Sequence, residues 1–175
     1  MANPIDIAVS VAKRIERSME ARRDGLVGVF QTIAGQHGEV ASLIDRVKTD
    51  PRKREALWPR IRVSLLSHEK AELKVVYPVL GRYSELDQFV AQHAHEAQQL
   101  EDIITRLDAM SVQGEDWMTL FESLGELVVS HAHEEENEIF PAAINVIGQD
   151  RSKDLDDKFR SSFKDFKAAF EKVAH

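Results

Sequence analysis

Apolar residues along this chain recur at three- and four-residue steps nearly everywhere, the spacing of one buried face of an α-helix. A first amphipathic segment runs from about Asp6 to Arg23. A second, from about Leu26 to Val47, carries Leu26, Phe30, Ile33, Val40, Ile44 and Val47 on one stripe. Gly28, Gly35 and Gly38 weaken that helix intrinsically, so it must rely on packing. Asp50-Pro51 is a helix start, a capping residue followed by Pro at the first helical position. Trp58-Pro59 restarts or kinks the segment, which then runs to about Leu80, near Pro78 and Gly81. Ser84 to Asp87 reads as a capping box with Asp in place of Glu. It opens a helix through about Met110, and Val112 to Glu115 forms a loop around Gly114. The next helix spans about Asp116 to Ile147. The last, about Lys153 to Val173, carries Leu155, Phe159, Phe163, Phe166, Phe170 and Val173.

Only eight Gly and five Pro occur in 175 residues, and no stretch alternates apolar and polar over a strand's length. The expected fold is all-α. Short loops between long amphipathic helices predict an up-down antiparallel four-helix bundle with additional N-terminal and C-terminal helices. The length suits a single domain over residues 1–175, with an extension at 1–24, the bundle at 26–148 and a final helix at 150–175. The Phe stripe of the last segment is expected to pack on the bundle, with a dimer contact as the sharper alternative.

The middle of the chain contains an internal repeat. His68-Glu69-Lys70-Ala71-Glu72 leads to Tyr77-Pro78, and His131-Ala132-His133-Glu134-Glu135 leads to Phe140-Pro141. Each copy has Glu four residues after His, an aromatic residue nine after and Pro ten after. Each follows a helix with its own seam histidine, His37 or His93. His37 shares a stripe with Phe30, Ile33, Val40 and Ile44; His93 shares one with Val90, Ala97, Leu100 and Ile104. His68 with Glu72, and His131 with Glu135, lie one turn apart on apolar stripes.

Four imidazoles and two carboxylates therefore point into one apolar interior. A buried carboxylate costs on the order of several kcal/mol unless it is paired or bound. Residues 63 to 149 offer only 4 Lys+Arg against 16 Asp+Glu, so side-chain cations are scarce where these acids lie. A metal resolves the conflict, and imidazole with carboxylate suits iron, manganese or zinc. The chain has no Cys, which excludes disulfides, thiolate zinc sites, iron–sulfur clusters and a Cys nucleophile. His95 lies about 200° round the helix from His93 and is expected at the surface or behind a ligand, as is His133. A register slip would make either one a ligand instead. Glu69, Glu134, Glu136 and Glu138 read as solvated helix face, and His175 as an inert terminus. The sequence contains no HExxH, no Glu-x-x-His, no GxGxxG, no phosphate loop and no GxSxG.

The set His37, His68-x3-Glu72 with Tyr77-Pro78, His93, and His131-x3-Glu135 with Phe140-Pro141 resembles the hemerythrin-like (HHE cation-binding) family over about residues 26 to 147. The resemblance implies a nonhaem centre of two irons per chain, joined by an oxo or hydroxo bridge. His37, His68, His93 and His131 would be terminal ligands, and Glu72 and Glu135 would bridge. Oxygen-carrying members have a fifth histidine where this chain has Ala97, and an Asp where it has Glu136. A six-ligand set leaves each metal an open or solvent-filled position, which suits a small ligand such as dioxygen, peroxide or nitric oxide. Sensing, binding or detoxification is the expected role. Iron storage or delivery, and a zinc-bound or metal-free interaction bundle, are the alternatives.

Net charge −7 argues against general nucleic-acid binding. It is unevenly spread: residues 1 to 62 carry 12 Lys+Arg and 8 Asp+Glu, a diffuse excess. No apolar run reaches a membrane span, and Lys13, Arg14 and Arg17 interrupt any secretory signal, so a cytoplasmic monomer or homodimer is expected.

Overall fold

A computed structural model of the protein describes residues 2–173, with side chains described as far as Lys172. His175 and the Val173 side chain lie outside that range. The described residues form helices and the turns between them, with no strand among them. The helices are α1 (Pro4–Arg23), α2 (Val29–Thr49), α3 (Arg54–Ala71), α4 (Tyr77–Leu80), α5 (Asp87–Ala109), α6 (Glu115–Glu134), α7 (Phe140–Ile147) and α8 (Gln149–Val173). None is long and apolar enough to cross a membrane among the described residues.

Local chemistry sets most of the boundaries. Asn3 accepts the Ile5 N–H ahead of Pro4, and Asp50 accepts the Arg52 N–H beside Pro51. Helix α3 passes through Pro59 without a break. The proline lies in its second turn, so one hydrogen bond to the Glu55 carbonyl is lost and no restart is needed. The capping box at Ser84 does not form. Ser84–Leu86 is a 3₁₀ turn, the Ser84 hydroxyl reaches Glu85, and α5 begins at Asp87.

The two long segments expected to run to about Leu80 and Ile147 are each interrupted. A π-turn occupies Glu72–Val76 between α3 and α4, and another occupies Glu135–Ile139 between α6 and α7. Pro78 and Pro141 explain both. Proline cannot donate to the carbonyl four residues back, and its ring crowds that carbonyl. Widening the preceding turn relieves the clash: Tyr77 N–H bonds the Glu72 carbonyl, and Phe140 N–H bonds the Glu135 carbonyl.

The apolar core falls into two halves. One gathers Phe30, Ile33, Val76, Leu80, Leu86, Phe140 and Phe159; the other gathers Leu43, Val47, Leu57, Ile61, Ile104, Trp117 and Phe121. Helix α2 enters from the first half and leaves through the second. Along α3 and into α4 the order reverses, α5 restores it, and α6 into α7 reverses it again. On each path the change of half is marked by a histidine. Helix α1 lies along α2, and α8 packs on α2 and α3. Leu155 and Phe159 are buried in the first half, with Phe163 and Phe166 against it and Phe170 against the second. The stripe therefore packs on the bundle.

Two glycines set how closely these additions approach. A methyl group on Gly38 would lie 2.7 Å from Arg17 Cβ and 2.8 Å from the Lys13 carbonyl, so α1 sits tightly on α2. Gly28 precedes α2 with φ +60°, and a Cβ there would meet the Ser152 and Lys153 backbone at 2.5–2.6 Å. Gly28→Ala combines backbone strain with a clash that no rotamer relieves, so it should destabilise the protein by about 3 kcal/mol. Denaturant unfolding checks this; a midpoint unchanged from the parent chain would refute it.

Candidate metal centre

The layer between the two core halves is built by four histidines at matching heights. His37, His68, His93 and His131 are all buried, and Glu72 and Glu135 are fully enclosed. The structure thus brings together all six residues singled out from the sequence. His37 Nε2 lies 3.2 Å from His68 Nε2 and 3.3 Å from Glu135 Oε2. His68 Nε2 is 3.2 Å from Glu72 Oε2, and His131 Nε2 is 3.5 Å from Glu135 Oε2. His93 approaches with Nδ1 3.3 Å from Glu135 Oε1 and Nε2 4.0 Å from Glu72 Oε2.

The far nitrogens of three histidines are held from outside. Glu136 accepts from His37 Nδ1 at 2.8 Å, Gln36 from His68 Nδ1 at 2.8 Å, and Glu96 from His131 Nδ1 at 2.7 Å. Protonation at Nδ1 leaves each Nε2 lone pair directed into the layer, the arrangement that metal-binding histidines need. His93 is fixed differently: its ring stacks on Tyr77 with centroids 3.5 Å apart and planes 7° from parallel. The Tyr77 hydroxyl donates to Glu135 Oε1 at 2.5 Å.

The π-turns make that contact possible. Nine residues of unbroken α-helix would put Tyr77 about 180° from His68, facing out. A wide turn absorbs one residue and brings it back to within about 80°. Tyr77 and Phe140 are both buried as a result.

Two carboxylates expected on the solvated face are inside. Glu69 is 4% exposed, with Oε1 3.4 Å from His131 Nε2 and Oε2 3.7 Å from His93 Nε2. It sits next to His68 on a helix covered on several sides, so the buried face is wider than one stripe. Glu136 is 8% exposed because α1 covers it and Arg17 forms an ion pair with it. Taking α1 as a mere addition hid that cover. Glu134 is half-buried and bonded to Gln92, Glu138 is exposed, and His95 and His133 are exposed and outside the cluster.

Within the layer, Glu69 Oε2, both Glu72 oxygens, both His93 nitrogens, His131 Nε2 and Glu135 Oε2 are buried without a hydrogen bond. Buried polar atoms in such number are costly unless something else binds them. They also fall into overlapping donor sets with ligand atoms within 4.8 Å of one another: His37, His68, His131 and Glu135; His68, Glu69, Glu72 and His131; Glu72, His93, His131 and Glu135. Nitrogen and oxygen donors aimed at common points fit a metal cation. Beside them lies a cavity of about 50 Å³, walled on the inside by His37, His68, Glu69 and His131.

Residues 19–143 match the family model described as the hemerythrin HHE cation binding domain. The chain belongs to this family. As an HHE protein it also resembles a curated DNA nickase from Nostoc sp. (strain PCC 7120 / SAG 25.82 / UTEX 2576), at 23% identity over 140 residues. The match covers 78% of this HHE chain and 39% of the nickase, so the chain spans well under half of that relative's length. No solved structure matches it significantly.

Electrostatics in the HHE layer follow from its crowding. Burial pulls the His37 imidazole down, but Glu135 and Glu136 outweigh it and raise it to about 9. His131 and His93 are raised likewise against burial, with Glu135 a partner of each. Burial works to raise the Glu135 carboxyl, yet His131, His37 and His93 hold it well below the usual range. Burial, then Glu72, pushes Glu69 up. The raised histidines contribute stability that is complete below 6.5 and lost as pH rises toward 9. The depressed Glu135 contributes stability above 4.5 that is lost as pH falls. The metal-free chain should therefore melt highest between about pH 4.5 and 6.5 and progressively lower toward pH 9. Calorimetry in chelator checks this; a melting temperature rising from pH 6.5 to 9 would contradict it.

Proposed function

We propose that this HHE protein holds a nonhaem di-iron centre and binds a small ligand or oxidant there, for sensing, binding or detoxification. In this reading α2, α3, α5 and α6 are the core of an up-down antiparallel bundle. His37, His68, His93 and His131 are terminal ligands, Glu72 and Glu135 bridge, and Glu69 is a further donor. The observation that carries it is the set of buried, unpaired nitrogen and oxygen atoms meeting in one layer between two apolar halves.

Bound iron would supply electron transfer and a coordination position for dioxygen, peroxide or nitric oxide. The chain's own part is to shape and protect that position. Glu136, Gln36 and Glu96 fix the ring orientation of three histidines. Tyr77 fixes Glu135 and packs against His93. The two apolar halves exclude bulk water above and below the layer, and the 50 Å³ cavity leaves room for a molecule of few atoms.

Ferrous loading followed by air should give two irons per chain and a ligand-to-iron charge-transfer band. Glu135→Ala should lose both, because the variant removes a donor common to two of the three sets. A chain that retains almost no iron after supplementation would defeat the proposal. Iron that passes readily to an apo acceptor, with no reaction toward oxidants, would instead establish storage or delivery. Retention of zinc in place of iron would establish the interaction bundle.

The relative named a DNA nickase favours a second reading, metal-dependent DNA cleavage. The first reading has no nucleic-acid partner, in keeping with the acidity of residues 63 to 149. It expects supercoiled plasmid to stay intact with iron, manganese or magnesium. Open circles that disappear in Glu135→Ala would establish the second.

A further inference from the structure

The cavity beside the donor layer has an outer wall from parts of the chain that lie beyond the family match. Arg14 of α1 and Phe163 and Lys167 of α8 line it together with His68 and His131. All three wall residues fall outside 19–143. The two cations there are not equivalent. Arg14 is tied to Glu39 at 3.3 Å, so its charge is offset. Lys167 also lines the cavity, is half-buried, and makes no ion pair among the described residues. Phe163 is half-buried and packs against the first core half.

Glu39 and Glu69 also line the cavity, but Glu39 is taken up by Arg14 and Arg60, which leaves the Lys167 ammonium as the lining cation without a partner carboxylate among the described residues, a charge that attracts small anions. About 50 Å³ holds roughly four water-sized groups, and the Phe163 ring forms part of the lining. We propose that α8 makes this cavity a selective port for small monovalent anions, with Lys167 drawing the anion in and Phe163 limiting its size. The inference rests on the metal reading above for what the anion meets inside, while the port itself is a property of the wall.

Azide is the probe, because its infrared stretch shifts when it leaves water and reads occupancy with or without metal. On the iron-loaded chain, Lys167→Glu should slow azide association by about tenfold or more and leave nitric oxide association unchanged. Lys167→Arg should restore the azide rate, and Phe163→Ala should admit a bulkier anion that the parent chain excludes. Equal azide rates in Lys167→Glu and the parent would overturn the proposal. If the chain holds no iron, the metal reading fails separately and the port is tested in the metal-free chain. A shifted azide band that is lost in Lys167→Glu supports the port; no shifted band in the parent overturns it.

Discussion

Everything in this fold depends on holding seven ionisable side chains in a layer largely shielded from water. His37, His68, His93, His131, Glu69, Glu72 and Glu135 are buried at one level between two apolar halves. Left uncompensated, each buried charge costs on the order of several kcal/mol, comparable with the net stability of a whole domain. Charge pairing between imidazoles and carboxylates offsets part of that cost, and a bound cation offsets more. The apolar halves supply the rest of the stability and shield the layer above and below.

The constraint reaches outward from the layer. Imidazoles must present one nitrogen, so Glu136, Gln36 and Glu96 hold the other. Glu136 in turn needs Arg17, and Arg17 needs α1 pressed onto α2, which Gly38 allows. Helix α8 sets Phe159 edge-on against His68 and lines the cavity with Phe163. The terminal helices are thus tied to the chemistry of the centre as well as to its packing.

The all-α fold, the internal repeat and the six converging residues were legible because they rest on helical periodicity, which a sequence displays directly. The π-turns were less visible. Their signal was the aromatic residue nine after each histidine, which an unbroken helix would turn outward, together with Pro78 and Pro141. Glu69 and Glu136 were missed for a different reason. Angular position on one helix predicts the face that one neighbour covers, whereas these two are buried by several helices at once. The Ser84 capping box failed because a 3₁₀ turn took up the residues it required.

If the layer holds a metal, binding must displace protons from its imidazoles. Anaerobic titration of the metal-free chain with ferrous iron, following iron bound and protons released together, tests it most directly. Uptake should saturate at two irons per chain, with protons released from the raised histidines and weaker uptake as pH falls. Absence of saturable uptake, or uptake unaffected by replacing Glu72 and Glu135, would contradict it.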